Sequence, residues 1–295
     1  MRHDVIVIGG SYAGMAAALQ LLRARRKVLV IDAGQRRNRF AGSSHGFLGQ
    51  DGADPAAIAT EARKQLEAYP TLDWLEDVAL EAAKLEDDGG FHVRSWSGGR
   101  YQAARLIFAT GVSDTLPEIE GLAERWGQHV FHCPYCHGYE LAQGKIGVIA
   151  TSPMSLHQAE FLTEWGDVTL FLNGVFEPDG AARARLEARR VRIEAAPIIR
   201  IEGRAEVVIE GGQRLTFAGL FTASRNAPAT PIAQQLGCAL EETPFGTQIR
   251  RNDMKETSVP GTYACGDAAH VPHSVSLAVG DGALTGIMVH RSLLL

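Results

Sequence analysis

The sequence predicts an α/β protein with two dinucleotide-binding domains, the second inserted into the first. Three observations carry this. Val5-Ile6-Val7-Ile8-Gly9-Gly10-Ser11-Tyr12-Ala13-Gly14 reads as a buried strand running into a glycine-rich turn. A second strand–helix–strand pattern begins near Lys145. Thr262-Tyr263-Ala264-Cys265-Gly266-Asp267 reads as a late strand that ends beside a dinucleotide.

Asp4 to Ile8 is a continuous apolar run, as a parallel strand covered on both faces requires. Met15, Leu19 and Leu22, with small alanines between, give a helical stripe, and Lys27 to Ile31 is the next buried strand, ending at Asp32. Asp54-Pro55 is a helix start, because Asp caps and Pro suits the first turn. Ile58, Ala62 and Leu66 share that helix's face, and Pro70 ends it. Turns at Asp87-Asp88-Gly89-Gly90 and Ser97-Gly98-Gly99 separate short strands at Phe91–Ser95 and Tyr101–Ala104, a small meander. Leu106 to Ala109 is a further buried strand, ending at Gly111.

In the second half, strands are expected at Ile146–Ile149 and Val168–Leu172 around a helix at Leu156–Trp165. Others follow at Pro197–Ile201, Glu206–Ile209 and Leu220–Ala223, and a last helix runs from about Val279 to His290. The layout is two Rossmann-like, three-layer ββα domains. Residues 1–115 and 245–295 form the first, and residues 116–244 the insertion.

The bulk composition excludes several classes. Against 29 Lys and Arg stand 34 Asp and Glu, a net charge of -5, which gives no field to attract nucleic acid or an anionic membrane. Arg183, Arg185, Arg189 and Arg190 read as the solvated face of a helix. Four cysteines in 295 residues are too few for a disulfide-stapled secreted scaffold. No apolar run approaches the ~20 residues of a membrane helix, and no h-region with a cleavage site is present. The expectation is a cytoplasmic protein.

The turn departs from G-x-G-x-x-G at its middle position, where Ser11 stands. Serine is the smallest side chain that adds a hydroxyl, and it suits a phosphate oxygen. Gly14 lets the helix pack closely on the strand, and the helix N-terminus offers N–H groups and a positive dipole end to a pyrophosphate. Asp32 suits adenosine ribose hydroxyls. Asp267 suits the ribityl chain, and a helix starting near Gly280-Asp281-Gly282 would aim its N-terminus at the flavin pyrimidine edge.

Cys133-Pro134-Tyr135-Cys136 places two thiols one short turn apart, where they can close an easily reduced disulfide. A dithiol between two halves of a dinucleotide-binding fold reads as a flavin-linked disulfide oxidoreductase. The string Cys133-x-x-Cys136-His137 also matches a c-type haem attachment site, which needs export. A zinc site lacks a second Cys-x-x-Cys pair. Cys238 and Cys265 are expected to be buried and inert.

Over nearly its whole length the chain resembles the low-molecular-weight thioredoxin reductases. The motifs are Gly9 to Gly14, Ala109-Thr110-Gly111 followed by Leu116-Pro117, Cys133 to Cys136, and Tyr263 to Asp267. The resemblance implies FAD, held by Gly9, Gly10, Ser11, Gly14, Asp32, Arg37, Ala109, Gly111, Gly266 and Asp267. It also implies a homodimer, a flavin-facing Cys136 and an exchange cysteine at Cys133.

Two departures bear on the electron donor. Where the family has a second glycine turn for NADPH, this chain reads Ile149-Ala150-Thr151-Ser152-Pro153-Met154-Ser155. Where it has a basic cluster for the 2′-phosphate, this chain reads Leu170-Phe171-Leu172-Asn173-Gly174-Val175-Phe176-Glu177, with no Arg or Lys. NADPH is therefore not the expected donor. In this the sequence is similar to the dithiol-oxidase branch, which closes disulfides in gliotoxin- and holomycin-type natural products. That branch implies electron flow from a substrate dithiol through Cys133 and Cys136 to FAD and then to O2, with H2O2 released. His137 replaces the family's usual Asp after the second cysteine and is expected to take the thiol proton, with His132 a weaker candidate. Thioredoxin reductases usually carry an Arg-Gln pair before the last helix, approximately where His273-Ser274 stands here, so His270 or His273 is a candidate for lining the substrate cleft. Two other functions stay open: a thioredoxin-disulfide reductase fed by NADPH or a ferredoxin-like donor, and a non-catalytic flavin-binding regulator. The partner is a small-molecule dithiol or a thioredoxin-like protein.

Overall fold

The structure, a computed structural model, describes residues 2–86 and 89–295. The Asp87-Asp88 part of the expected turn lies outside the described residues. The chain divides into two compact units. The first takes Met1–Arg39, Phe47–Ser113 and Asn226–Leu295; the second takes Phe40–Gly46 and Asp114–Arg225.

The first leg of the first unit comprises β1 (Arg2–Ile8), α1 (Tyr12–Arg23), β2 (Val28–Asp32), α2 (Pro55–Glu67), β3 (Leu72–Glu76), β4 (Ala79–Lys84), β5 (Phe91–Ser95) and β6 (Arg100–Phe108). β7 (Val112–Thr115) leads out of it. The second unit holds β8 (Val130–Phe131), α3 (Pro134–His137), β9 (Lys145–Ile149), α4 (Met154–Leu162), β10 (Asp167–Phe171), α5 (Gly180–Ala188) and β11 (Arg192–Glu194). It continues with β12 (Ile198–Glu202), β13 (Glu206–Ile209), β14 (Arg214–Thr216) and β15 (Gly219–Thr222). β16 (Arg225–Pro228), α6 (Ile232–Gln235), β17 (Leu240–Thr243), β18 (Gly246–Ile249), β19 (Thr262–Ala264) and α7 (Val275–Ser292) follow.

The main sheet of the first unit runs β3-β2-β1-β6-β5-β4, with β19 also on β6. β1 lies parallel to β2, with Val7 opposite Val30, and parallel to β6, with Val7 opposite Ile107. β6 is one strand of nine residues where two were expected at Tyr101–Ala104 and Leu106–Ala109. Its first half pairs antiparallel with β5, and its last residues pair parallel with β19. The meander is thus an extension of the parallel sheet.

Alternate residues face opposite sides of that sheet. Val5, Val7, Val28, Val30 and Ile107 pack with residues of α1, α2 and α7. Ile6, Ile8, Leu29, Ile31 and Phe108 pack on the other side with Ile232, Ala233 and Cys238. Fully burying one such side chain contributes about 1.5–3 kcal/mol. This second cluster corrects the expected boundary at 244. Residues 226–244 supply apolar side chains to the core of the first unit and belong there.

Two more expectations need correction. α7 begins at Val275, capped by the Ser274 hydroxyl accepting from Leu277 N, not near Gly280. Gly282 and Gly286 stand inside it because a Cβ at either would collide with the carbonyl oxygen of Ala13 or Ala17 on α1. The helix expected over Leu156–Trp165 is α4, set two residues earlier at its start and ending at Leu162.

In the second unit β11-β10-β9-β15-β8 form a parallel sheet, and β12-β13-β14 an antiparallel one. One face of the parallel sheet packs with Ala159 and Leu162 of α4 and Leu186 of α5. The other packs with Ile201, Val207 and Ile209 of the antiparallel sheet. The arginines of α5 are paired at the surface, Arg183 with Glu177 at 2.7 Å and Arg185 with Glu160 at 3.0 Å. No helix among the described residues is long and apolar enough to cross a membrane.

Candidate active site

The first unit brings three motifs together at the C-terminal ends of β1, β6 and β19. Gly9 leaves β1 with φ +103°, and a Cβ there would collide with Ala109 at the end of β6. At Gly14 a Cβ would meet the Gly9 carbonyl oxygen, so α1 sits on the turn closer than any side chain permits. At Gly10 a Cβ would lie 2.6 Å from the Trp74 ring and 2.7 Å from Asp32 Cβ. Ser11 is the N-cap of α1, and its hydroxyl makes no cap bond.

Asp32 ends β2 half-buried, and its Oδ1 accepts from Gly10 N at 3.0 Å. The carboxylate therefore fixes the turn with one oxygen. Gly266, with φ +67°, follows β19, and a Cβ there would lie 2.6 Å from Ala13 Cβ on α1. Arg37 Nη1 lies 3.4 Å from Asp267 Oδ2 and 2.7 Å from His273 Nδ1. Arg37, Asp267 and His273 are thus one cluster, and His273 is engaged with this arginine.

A buried ionic cluster that the sequence did not announce holds the Gly266 turn. Asp281 accepts from Gly266 N and from Arg251 Nη1, each at 2.8 Å, and lies 3.2 Å from Lys255 Nζ. Burial opposes ionisation of Asp281, but Arg251, the Gly266 N–H and Lys255 outweigh it and hold its carboxyl below its ordinary value.

The site fits a bound dinucleotide. The turn is a cradle that side chains would fill. Around it Thr110 Oγ1 and Trp74 Nε1 are buried polar atoms with no partner among the described residues. Cys265 and Cys238 lie buried, and burial pushes the Cys265 thiol far above its ordinary range.

The second unit holds the cysteine pair. Cys133 and Cys136 are joined as a disulfide, with Cα atoms 5.4 Å apart. Cys133 caps the one-turn α3, with Pro134 at its first position. Gly138 N donates to Pro134 O at 2.6 Å, and a Cβ on Gly138 would press into the Trp165 ring. Tyr135 is exposed and meets Phe161 and Trp165 edge-on at 5.7 and 5.4 Å.

His137 stacks on Phe131, ring centroids 4.2 Å apart. Burial, then the nearby His45, push its imidazole down from 6.5 to about 4. It is therefore neutral at pH 7, the form that accepts a proton. Between pH 6.5 and about 4 the unfolded chain binds a proton that folded His137 refuses, so stability falls as pH drops through this window. His137→Gln is expected to flatten that part of the curve, as measured by urea unfolding at pH 5 and pH 7. His132, the weaker candidate, places its ring 5.9 Å from Trp126.

The turn after β9 is satisfied internally. Thr151 N donates to Ser155 Oγ at 3.1 Å, and Met154 N to Ser152 Oγ at 3.3 Å. Pro153, at the N-cap of α4, has no N–H to give. Beyond β10, Asn173 Oδ1 accepts from Ile198 N at 2.8 Å. Among the described residues no three His, Cys, Asp or Glu side chains gather as a metal site.

These features define a flavin-linked disulfide oxidoreductase. Residues 3–282 match the pyridine nucleotide-disulphide oxidoreductase family, and the chain belongs to it. It is an FAD-binding enzyme of the thioredoxin-reductase-like kind. Among similar proteins is "Thioredoxin reductase tcpT" of Claviceps purpurea (strain 20.1), 33% identical, with 99% of this chain and 94% of the relative covered. The solved structure of "the oxidoreductase from Agrobacterium tumefaciens" is 54% identical with TM-score 0.96, covering 100% of this chain and 99% of that one. The crystal structure of HlmI is 32% identical with TM-score 0.91, covering 99% and 92%.

Proposed function

We propose that the chain is a dithiol oxidase, with residues 114–225 a nicotinamide-domain-like module that no longer takes NADPH. The observation that carries this is the turn after β9. Backbone N–H groups that would meet a phosphate are taken by Ser152 and Ser155, and Pro153 offers none. Glu177 stands among the residues after β10, paired with Arg183.

The chemistry follows from the cysteine pair. A substrate thiolate attacks Cys133 Sγ, the Cys133–Cys136 bond breaks, and Cys136 leaves as thiolate. The second substrate thiolate attacks the substrate sulfur of the mixed disulfide and expels Cys133. The substrate leaves as a disulfide, two electrons stay on the cysteines and two protons are released. Neutral His137 accepts a proton at the ring nitrogen. FAD, when bound, would supply a two-electron acceptor for the reduced pair, and the two electrons with the two released protons would convert O2 to H2O2. Gly9, Gly10, Ser11, Gly14, Asp32, Arg37, Ala109, Gly111, Gly266 and Asp267 would hold it.

The alternative is a thioredoxin-disulfide reductase with NADPH or a ferredoxin-like donor, favoured by the name that curated relatives carry. A purely binding role has no need of the joined cysteines. A cytoplasmic homodimer acting on a small-molecule dithiol or a thioredoxin-like protein completes the reading. The test is oxygen uptake with a small dithiol and no nicotinamide. The oxidase consumes one O2 and releases one H2O2 per disulfide formed. Absence of uptake, with rapid NADPH oxidation instead, overturns it.

A further inference from the structure

Beside the glycine turn stands a buried N–H that the protein itself does not use. Trp74 Nε1 is buried and has no hydrogen-bond partner among the described residues. A buried indole ordinarily pairs this donor, and leaving it unpaired is costly. Trp74 lies on β3, opposite Val30 of β2, and packs partly buried against the first unit's core. A Cβ on Gly10 would lie 2.6 Å from its Cη2 and 2.7 Å from its Cζ2. Cζ2 is bonded to the ring carbon that carries Nε1, so the N–H lies on the side of the indole turned to Gly10.

We infer that Trp74 binds the adenosine ribose of FAD, donating its indole N–H to a ribose hydroxyl whose own proton goes to Asp32. The inference rests on the cradle assigned to FAD above and not on the direction of electron flow. The same Cβ on Gly10 would lie 2.7 Å from Asp32 Cβ, so turn, carboxylate and indole meet at one point. Asp32 gives Oδ1 to Gly10 N at 3.0 Å, which leaves acceptor capacity on the carboxylate. The place therefore presents one donor, from Trp74, and one acceptor, from Asp32. A hydroxyl donates once and accepts as well, so it satisfies both together. A phosphate would satisfy the indole but meet the charge of Asp32, and an ammonium would satisfy Asp32 but not the indole. The ribose diol is the part of the dinucleotide that matches.

The indole is also held in place before any ligand arrives. Arg63 of α2 covers the ring face, its Cζ 4.6 Å from the centroid, while Gly10 lies at the ring edge. Arg63 is itself fixed by Glu67 at 2.9 Å and by Glu76, the residue that ends β3 opposite Asp32. Its charge is thus matched by two carboxylates and is not left over for a 2′-phosphate. A donor fixed in advance loses little freedom when the ligand binds, so its hydrogen bond counts in full toward affinity.

The test measures cofactor affinity, not turnover. Flavin is removed, and the apoprotein is titrated with FAD and with the FAD analogues that lack the adenosine 2′- or 3′-hydroxyl, following flavin fluorescence. The parent should prefer FAD over one of the analogues by roughly a hundredfold, the scale of two hydrogen bonds, one of them to a charged group. Trp74→Phe keeps an aromatic ring and removes the N–H. In this variant the preference for FAD over that analogue should fall about tenfold. Comparing the four affinities cancels whatever packing the smaller ring loses. If Trp74→Phe fails to fold, the parent with 15N-labelled indoles carries the test. Of its four tryptophans, the Trp74 N–H resonance, assigned by replacing Trp96, Trp126 and Trp165 singly with Phe, should move downfield with FAD and less with the analogue. A preference unchanged in Trp74→Phe, or an indole resonance in the same position with FAD and analogue, overturns the inference and leaves the cradle standing. A parent that binds FAD and both analogues alike holds no ribose hydroxyl there, which overturns the role of Asp32 in the cradle together with that of Trp74.

Discussion

Cys136→Ser is expected to abolish thiol-driven reduction of the flavin, lowering its rate by on the order of 10⁴-fold or more, as loss of an essential nucleophile does. Without Cys136 Sγ there is no disulfide for a substrate thiolate to open, and no second thiolate to hold the electron pair. The fold should be unaffected, since Cys136 lies on, and Cys133 stands at the N-cap of, a one-turn helix that contributes no buried side chain to the core. Flavin content and thermal unfolding should match the parent. Cys133→Ser should be equally inactive with dithiols but should leave Cys136 as a single thiol, countable by alkylation. Retention of dithiol-driven bleaching in Cys136→Ser would remove the assigned chemistry.

The second large effect is at Gly14. A Cβ there would overlap the Gly9 carbonyl oxygen, and both belong to backbone that cannot yield without moving α1 off β1. Gly14→Val should destabilise the first unit by about 3 kcal/mol, the top of the overpacking range. It should also yield protein without bound flavin, because the displaced helix N-terminus is the element expected to face the pyrophosphate. Gly34→Ala is the control. Nothing lies within 4 Å of a Cβ there, so only the cost of φ +71° applies. Flavin absorbance after purification and a urea titration measure both effects.

The parts of this fold that were legible in sequence are those fixed by local pattern. The run Val5 to Ile8 is apolar because both faces of β1 are covered, and Asp54 with Pro55 starts α2 by direct capping, Asp54 Oδ1 accepting from Ala56 N at 2.7 Å. The glycine turn and the cysteine pair were legible because spacing alone constrains their geometry. What failed depended on distant partners. β3 went unrecognised because Asp73 and Glu76 break the apolar run, although it pairs with β2 along its length. The start of α7 was misplaced because Gly280, Gly282 and Gly286 suggest a boundary, whereas the latter two are tolerated within the helix for contact with α1. Residues 226–244 looked like insertion, and only their burial against β1 and β2 assigns them. The Asp281 cluster, the Trp74–Gly10 approach and the His45–Glu140 pair carry no sequence signal of their own, since each is a contact between residues distant in the chain.

His137 is proposed on chemical grounds to take the thiol proton, and the structure adds its burial against Phe131. That burial sets the imidazole in its neutral form over the physiological range. A neutral base beside a disulfide suits a reaction in which thiols arrive protonated and leave oxidised. The internally satisfied turn after β9 bears on the same question of direction, because it concerns the other possible source of electrons.

The central claim is that electrons enter from a dithiol and not from a nicotinamide. Its most direct test is anaerobic stopped-flow mixing of the FAD-loaded protein with a small dithiol and, separately, with NADPH, following flavin absorbance. The account predicts bleaching by the dithiol alone, with colour and peroxide returning together when air is admitted. Rapid bleaching by NADPH, with none by the dithiol, would contradict it.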